Sequence, residues 1–174
     1  MKQLTFLLLA IINLSALSQT PKQAYPTSYQ TGFVVKYKDP INGDIQRETT
    51  SLKVNNSVYL SLLRSNDKYW SKYTILNVEK NDVISKGDTI VFQLENGSTI
   101  ECYSTERKKA KGEIIGDKTF YKLKFVTSMQ SASIDKIMLS PITNIIINNK
   151  EYKVSTKKWT KKGIKMCQRI KYKQ

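Results

Sequence analysis

Apolar and polar residues alternate with a period of two along much of the chain between residues 32 and 155. This alternation is typical of β-strands that bury one face. Polar segments separate the apolar runs, among them a turn at 39–44 and a loop at 64–72 that carries Trp70. The strands indicated by this pattern are residues 32–38, 57–63, 73–79, 88–94, 99–104, 119–126, 142–147 and 150–154.

Two pairs of neighbouring runs are spaced closely enough to form β-hairpins. Asn96-Gly97 lies between residues 88–94 and 99–104, and this dipeptide favours the positive φ angles of a two-residue type I′ turn. Asn148-Asn149 separates the last two runs and predicts a second hairpin. In the first hairpin, the apolar alternation falls on Ile90, Phe92, Leu94, Ile100 and Cys102.

Two segments follow a helical period instead. A short helix is predicted to begin at Ser133, the expected N-cap, and to end before Pro141. A C-terminal amphipathic helix is predicted over residues 156–172. Its apolar stripe consists of Trp159, Gly163, Met166, Cys167 and Ile170, and its basic side of Lys158, Lys162, Lys165 and Arg169.

These elements predict a mainly β fold, an antiparallel sandwich or curled sheet with a short helix and a C-terminal amphipathic helix packed on it. Residues 31–174 have the length of a single domain. Residues 19–30 contain two prolines and no apolar period, so we expect a flexible arm there.

The first 18 residues have the pattern of a cleavable signal peptide. Lys2 precedes an uncharged apolar run from Leu4 to Leu17, and cleavage is expected before Gln19. A transmembrane anchor is the alternative, but the run is shorter than the roughly 20 residues that span a bilayer, and Asn13 interrupts it. We therefore expect an exported protein, periplasmic, outer-surface or secreted, without a transmembrane segment after cleavage.

Positive charge is concentrated at the C-terminal end. The chain has 29 Lys+Arg and 14 Asp+Glu residues, and from Lys150 to Gln174 ten basic residues accompany Glu151 alone. Such a field attracts polyanions, and an anionic envelope polymer or a lipid surface is the expected partner, with no specific nucleic acid. The candidate contact residues are Lys158, Lys162, Lys165 and Arg169. The alternative is that these lysines only solvate the helix.

The two cysteines, Cys102 and Cys167, allow two interpretations. An exported chain meets an oxidising environment in which the two thiols could form a disulfide. Equally, both residues fall at apolar positions of their elements and fit two small buried side chains. The sequence leaves both interpretations open.

Aromatic residues lie among lysines at Tyr69, Trp70 and Tyr73. Rings in this setting can stack on sugars or on nucleic-acid bases, which makes these three residues candidates for ligand stacking. Ordinary alternating strands produce the same pattern, and this is the alternative interpretation.

Catalytic chemistry has little support in this sequence. The chain has no histidine, which excludes histidine-dependent triads, Cys-His pairs and histidine metal sites. Ser133-Ile-Asp-Lys136 matches a Ser-x-x-Lys motif, but the serine is better explained as a helix cap. Glu95 and Glu101 flank a turn and could face each other as a glycosidase pair would, although solvated positions are the simpler interpretation. No phosphate-binding glycine loop is present, and we expect no metal and no cofactor.

Three features together resemble small uncharacterised exported β-rich proteins of Gram-negative bacteria. They are the leader ending before Gln19, the hairpin between Gly87 and Gly97, and the hairpin between Ile142 and Val154 that precedes a terminal helix. The resemblance covers residues 88–170. It implies a β-rich envelope or secreted protein without known activity, and it assigns no functional residue.

The function expected from these patterns is that of an exported, noncatalytic module that binds anionic surfaces or glycans through its basic C-terminal helix. Two alternatives remain open. One is an unrecognised hydrolase that uses Glu95 and Glu101. The other is a proteinaceous inhibitor that presents the loop from Glu106 to Gly112.

Overall fold

The computed structural model describes residues 34–38 and 43–172. The expected signal peptide (1–18), the expected arm (19–30) and most of the turn at 39–44 lie outside the described residues. Within the described part, the chain is mainly antiparallel β-structure. The fold class expected from the alternation is therefore confirmed.

Thirteen strands and a few helical segments make up the described residues. The strands are β1 (Val34–Lys38), β2 (Ile45–Thr49), β3 (Leu52–Lys53), β4 (Val58–Ser65), β5 (Lys68–Leu76), β6 (Val83–Ile84), β7 (Thr89–Leu94), β8 (Thr99–Ser104), β9 (Lys108–Lys109), β10 (Lys111–Ile115), β11 (Lys118–Met129), β12 (Ile142–Ile147) and β13 (Lys150–Lys153). The helices are α1 (Ser131–Leu139), α2 (Thr156–Lys158) and α3 (Ile164–Tyr172), with a π-helical segment (Trp159–Gly163) between the last two. We call residues 156–172 the C-terminal helix.

Eleven of the strands form one sheet, in the order β1-β2-β4-β5-β11-β8-β7-β12-β13, with β10 paired to β11 and β3 paired to β4. Strands β6 and β9 form a separate two-stranded sheet. The rings of Tyr73 on β5 and Phe92 on β7 lie 6.3 Å apart between centroids. Their strands are three positions apart, which in a flat sheet would separate them by about 14 Å. The large sheet therefore curls, and residues from distant strands share one core.

The curled sheet buries one face of each central strand. Strand β5 alternates between buried and more exposed positions over its whole length, and β7 and β8 do the same. The inward positions expected for the first hairpin are all buried, namely Ile90, Phe92, Leu94, Ile100 and Cys102. The alternation of the sequence thus identifies the core face of these strands correctly.

The first hairpin does not have the predicted turn, and the two hairpins close differently. At Gly97 φ is +82°, but Asn96 is absent from the positive-φ residues, and Gly97 N–H donates to the carbonyl oxygen of Leu94 at 3.0 Å. The first hairpin therefore closes with a three-residue loop that ends in a left-handed glycine, and the predicted type I′ turn is wrong. Asn148 and Asn149 have φ values of 49° and 62°, so the second hairpin carries the two positive-φ residues.

The predicted polar loop at 64–72 is also wrong. Strands β4 and β5 pair through Ser65 and Lys68, which leaves only Asn66 and Asp67 in the turn. Asn66 adopts a φ of 52°, a conformation that asparagine tolerates better than most residues. Many residues of this segment are polar. Its alternation was therefore too weak to indicate a strand from the sequence.

The short helix begins earlier than predicted. Helix α1 starts at Ser131, after Gln130 at the N-cap, and no side chain caps it. Ser133 is buried inside the helix, so it is not the N-cap. Ile134 and Ile137 are buried, as expected, and the helix ends at Leu139, before Pro141.

The C-terminal helix buries the expected stripe but is not a regular α-helix. Its buried positions are Trp159, Gly163, Met166, Cys167 and Ile170. The N–H of Ile164 donates to the carbonyl oxygen of Trp159, five residues earlier, which is the π-helical hydrogen bond. No helix in the described ranges combines the length and apolarity that a bilayer span requires.

Candidate polyanion-binding site

Two hydrogen bonds fix the start of the C-terminal helix beside β3. Ser155, the residue before α2, donates its backbone N–H to the carbonyl oxygen of Val54 at 3.2 Å. The side-chain amide of Asn55 donates to the carbonyl oxygen of Lys153 at 3.2 Å. Asn55 itself is held by the backbone N–H of Val58, which donates to its side-chain oxygen at 2.7 Å. The first turn of the helix therefore lies next to the short strand β3.

The other end of the helix is held by two charged side chains. The guanidinium of Arg64 on β4 donates to the carbonyl oxygens of Lys171, at 2.5 Å, and Ile170, at 3.4 Å. These carbonyls belong to the last turn, where a helix leaves acceptors unsatisfied. Lys171 forms an ion pair with Asp135 of α1, and the hydrogen bond that its ammonium donates to that carboxylate raises the pKa of Lys171. Both ends of the helix are thus tied to the rest of the fold.

The outer face of this anchored helix is lined by exposed lysines. None of them forms an ion pair with a carboxylate of the described residues. The exposed lysines are Lys157, Lys158, Lys161, Lys162 and Lys165. Arg169, the fourth candidate from the sequence, is only partly exposed. The structure therefore presents Lys158, Lys162 and Lys165 to solvent and holds Arg169 closer to the body of the protein.

A cleft of about 290 Å³ lies between this helix and the segment that connects β2 to β4. Its lining residues are three lysines, two residues with hydroxyl side chains and two apolar residues. These residues are Lys53, Lys158, Lys162, Thr50, Ser51, Leu52 and Met166. The lining contains no carboxylate, so the lysine charges are not compensated inside the cleft. This arrangement attracts an anion and excludes a cation.

The contribution of residues 50–53 to this cleft had no signal in the sequence. Lys53 is one of many lysines in the chain, and Thr50 and Ser51 belong to an ordinary polar connection. They reach the helix because β3 pairs with β4, with Leu52 opposite Leu60 and Lys53 opposite Tyr59. Only this pairing, together with the anchoring of Ser155 to Val54, brings residues separated by about a hundred positions into one site.

The three aromatic candidates for ligand stacking are divided between the two faces of β5. Tyr69 and Tyr73 are buried in the core, and Tyr73 stacks on Phe125 with ring centroids 4.7 Å apart. The hydroxyl of Tyr73 accepts a hydrogen bond from Ser71 at 3.0 Å, and burial raises the pKa of Tyr73 well above its usual range. Trp70 lies on the opposite face and is partly exposed. The rings therefore do not form one ligand surface, because successive residues of a strand point to opposite faces.

Both cysteines are free thiols in the structure, and both are buried. Cys102 lies on β8, close to the hydroxyls of Ser71 and Thr127. Cys167 lies on α3, which packs on β4, β2 and β1. Of the two interpretations of the cysteines, the structure shows the two buried side chains and not the disulfide.

The residues considered for catalysis do not converge. Glu101 pairs with Val91 across the hairpin, while Glu95 lies in the loop, so the two carboxylates are not opposite each other. Both are exposed, and Glu101 accepts a hydrogen bond from the hydroxyl of Tyr103 at 2.7 Å. Ser133 is buried while Lys136 is exposed. Within residues 34–38 and 43–172, no group of three or more Cys, Asp or Glu side chains is arranged to hold a metal.

The segment expected to act as an inhibitor loop is largely β-structure. Lys108–Lys109 form β9, paired with β6, and Lys111 and Gly112 begin β10. The hairpin of β10 and the first part of β11 is exposed to solvent, with Ile114 at 78 % and Ile115 at 61 % exposure. The exposed apolar side chains thus lie at the tip of this hairpin rather than in residues 106–112.

Comparison with protein-family models, with curated proteins and with solved structures finds no match to this chain. The charges and geometry of the described residues are therefore the basis for assigning a function.

Proposed function

We propose that this chain is an exported, noncatalytic module that binds polyanions at the basic face of its C-terminal helix. The observation that carries the proposal is the set of exposed lysines on this anchored helix, none of them ion-paired with a described carboxylate. The pattern of residues 1–18 supports export. In that setting the partner is an anionic envelope polymer or lipid surface.

The anchoring of the helix favours binding over simple solvation of lysines. Exposed lysines on an anchored helix have fixed backbone positions, so a polyanion meets them without ordering the backbone. Each anionic group neutralised also releases a counterion, and the affinity then falls steeply as salt rises. The absence of a carboxylate from the adjoining cleft maintains the positive potential there.

Charge reversal on the helix tests the proposal directly. We expect the protein comprising residues 19–174 to bind heparin and phosphatidylglycerol vesicles at low salt, with affinity falling steeply toward physiological ionic strength. The double variant Lys158→Glu with Lys162→Glu should lose this binding. Retention on heparin–agarose and vesicle co-sedimentation measure it.

A matched control separates the site from the net charge of the molecule. Lys86→Glu with Lys118→Glu makes the same charge change at two exposed residues outside the C-terminal helix. This control should retain most of the binding. Equal losses in both double variants would show a diffuse charge effect, and binding that is absent or independent of salt would reject the proposal.

A further inference from the structure

The cleft beside the C-terminal helix combines lysines with hydroxyl-bearing and apolar residues, whereas the outer face of the helix presents lysines. We propose that it binds one acidic sugar residue of an anionic polysaccharide, with the carboxylate or sulfate held by Lys53, Lys158 and Lys162. This inference rests on the proposed function and names the class of polyanion that the site selects. The three lysines come from two elements, β3 and the C-terminal helix, and line the same cavity.

The charge of the cleft fits a single anionic group entering from solvent. Three lysines are among its lining residues, and none of the lining residues is an aspartate or a glutamate. A lysine ammonium offers three rotatable donors, so several lysines can contact one carboxylate or sulfate without a fixed bidentate geometry. The volume of about 290 Å³ is at the lower limit of pockets for drug-sized ligands, which are about 300–1,000 Å³. The cleft therefore suits one unit of a polymer.

The uncharged residues of the lining favour an acidic sugar over a nucleic acid or a lipid surface. A pyranose ring has an apolar face of C–H groups and a rim of hydroxyls. Leu52 and Met166 are the apolar residues of the lining, and Thr50 and Ser51 are its hydroxyl-bearing residues. A nucleic-acid base would require a stacking ring, and the described lining contains no aromatic side chain. A membrane surface would contact the outward lysines but would not fill a recess.

The walls of the cleft are held in place before any ligand arrives. Strand β3 is paired with β4, and Val54 at its end accepts the hydrogen bond from Ser155 at the start of the helix. Met166 is buried and fixed by the packing of α3. Binding therefore requires little ordering of the backbone, which favours selectivity for a short saccharide.

Three single variants of the chain test this inference. Lys53→Gln removes one charge from the cleft, and Lys165→Gln removes one charge from the same helix face outside the cleft lining. Ser51→Trp changes no charge but obstructs the cleft from an exposed position. Isothermal titration calorimetry measures binding of trigalacturonate and of a heparin-derived tetrasaccharide, with maltotriose as the neutral control. Phosphatidylglycerol vesicles and an oligothymidylate are measured in parallel.

We expect both acidic oligosaccharides to bind and maltotriose not to bind. Lys53→Gln and Ser51→Trp should each lower the oligosaccharide affinity about fivefold or more, because they remove a charge-assisted contact or the space for the ring. Lys165→Gln should lower it about twofold or less, since an exposed charge acts only through the screened field. Ser51→Trp should leave vesicle binding within about twofold.

The outcomes separate this inference from the proposed function. If the polymer and the vesicles bind but neither short saccharide does, the helix face binds polyanions and the sugar site is rejected. Equal effects of Lys53→Gln and Lys165→Gln, or an oligothymidylate that binds as tightly as the saccharides and is equally weakened by Ser51→Trp, would also overturn the sugar site. If no anionic probe binds, the proposed function fails as well.

Discussion

Gly163 lies directly beneath the indole ring of Trp159, the residue at which the π-helical segment begins. A Cβ atom added at Gly163 would lie 2.7 Å from Cε2 and 2.8 Å from Cε3 of that ring, closer than real carbon atoms approach. The π-helical segment ends at this residue, so the glycine and the widened turn together accommodate a fully buried indole. The absence of a side chain at Gly163 is thus a packing requirement.

Substituting this glycine should destabilise the protein. In an exposed helix interior, glycine to alanine would stabilise by about 1 kcal/mol through helix propensity. Here we expect Gly163→Ala to lower the free energy of unfolding by about 1–3 kcal/mol, because the methyl group overpacks the indole contact. Urea-induced unfolding measures this change. Thr160→Ala, at an exposed position of the same segment, is the control, and a stabilising Gly163→Ala would contradict the packing argument.

The two buried thiols should be unreactive in the native protein. Burial raises the pKa of Cys102 and of Cys167 to about 12 each. The reactive thiolate is therefore scarce at about pH 8, and the reagent has no access to the sulfur. We expect a chromogenic disulfide reagent to detect no thiol in the native protein and both thiols in urea. Failure to detect thiols in urea would show that the cysteines form a disulfide.

The C-terminal helix depends on contacts with other elements of the fold. Its lysine-rich outer face is exposed to solvent. The buried stripe and the two anchored ends therefore hold the helix on the sheet. Arg64 contributes at the C-terminal end, where its guanidinium satisfies two backbone carbonyls and interacts favourably with the helix dipole.

Removing this guanidinium should loosen the last turn of the helix. We expect Arg64→Gln to accelerate amide hydrogen exchange at residues 168–172 and to lower the free energy of unfolding by about 1 kcal/mol. Hydrogen exchange followed by nuclear magnetic resonance measures the local effect. Arg107→Gln, at an exposed arginine outside the helix, is the control. Unchanged exchange at the helix end would show that Arg64 does not anchor it.

The strands differ in how clearly their sequences indicate β-structure. Strands β7 and β8 have apolar residues at the inward positions of a regular alternation, and both were predicted. Strand β2 has the sequence Ile-Gln-Arg-Glu-Thr with a single buried position, Thr49, and was not predicted. Its pairing with β1 and β4 supplies the stabilisation that its own side chains do not indicate.

Over the whole molecule, the curl of the sheet and the position of the helix determine where the charge is displayed. The curl brings Tyr73, Phe92 and Phe125 into one core. The C-terminal helix packs its apolar stripe on β4, β2 and β1, so its lysines face outward next to β3. The basic face and the cleft are consequences of this docking, since the same helix in isolation would present lysines without a facing wall.

Local residue patterns were sufficient to predict the mainly antiparallel fold, the inward residues of the central strands and the buried stripe of the C-terminal helix. They were sufficient because side-chain periods of two and of about 3.6 follow from backbone geometry, whatever the partner element. The exact turns, the start of α1 and the π-helical segment were not predictable, because each depends on how neighbouring elements pack. The cleft that joins Lys53 to Lys158 and Lys162 also required the tertiary structure, since strand pairing and a hydrogen bond between Ser155 and Val54 bring together residues that are far apart along the chain.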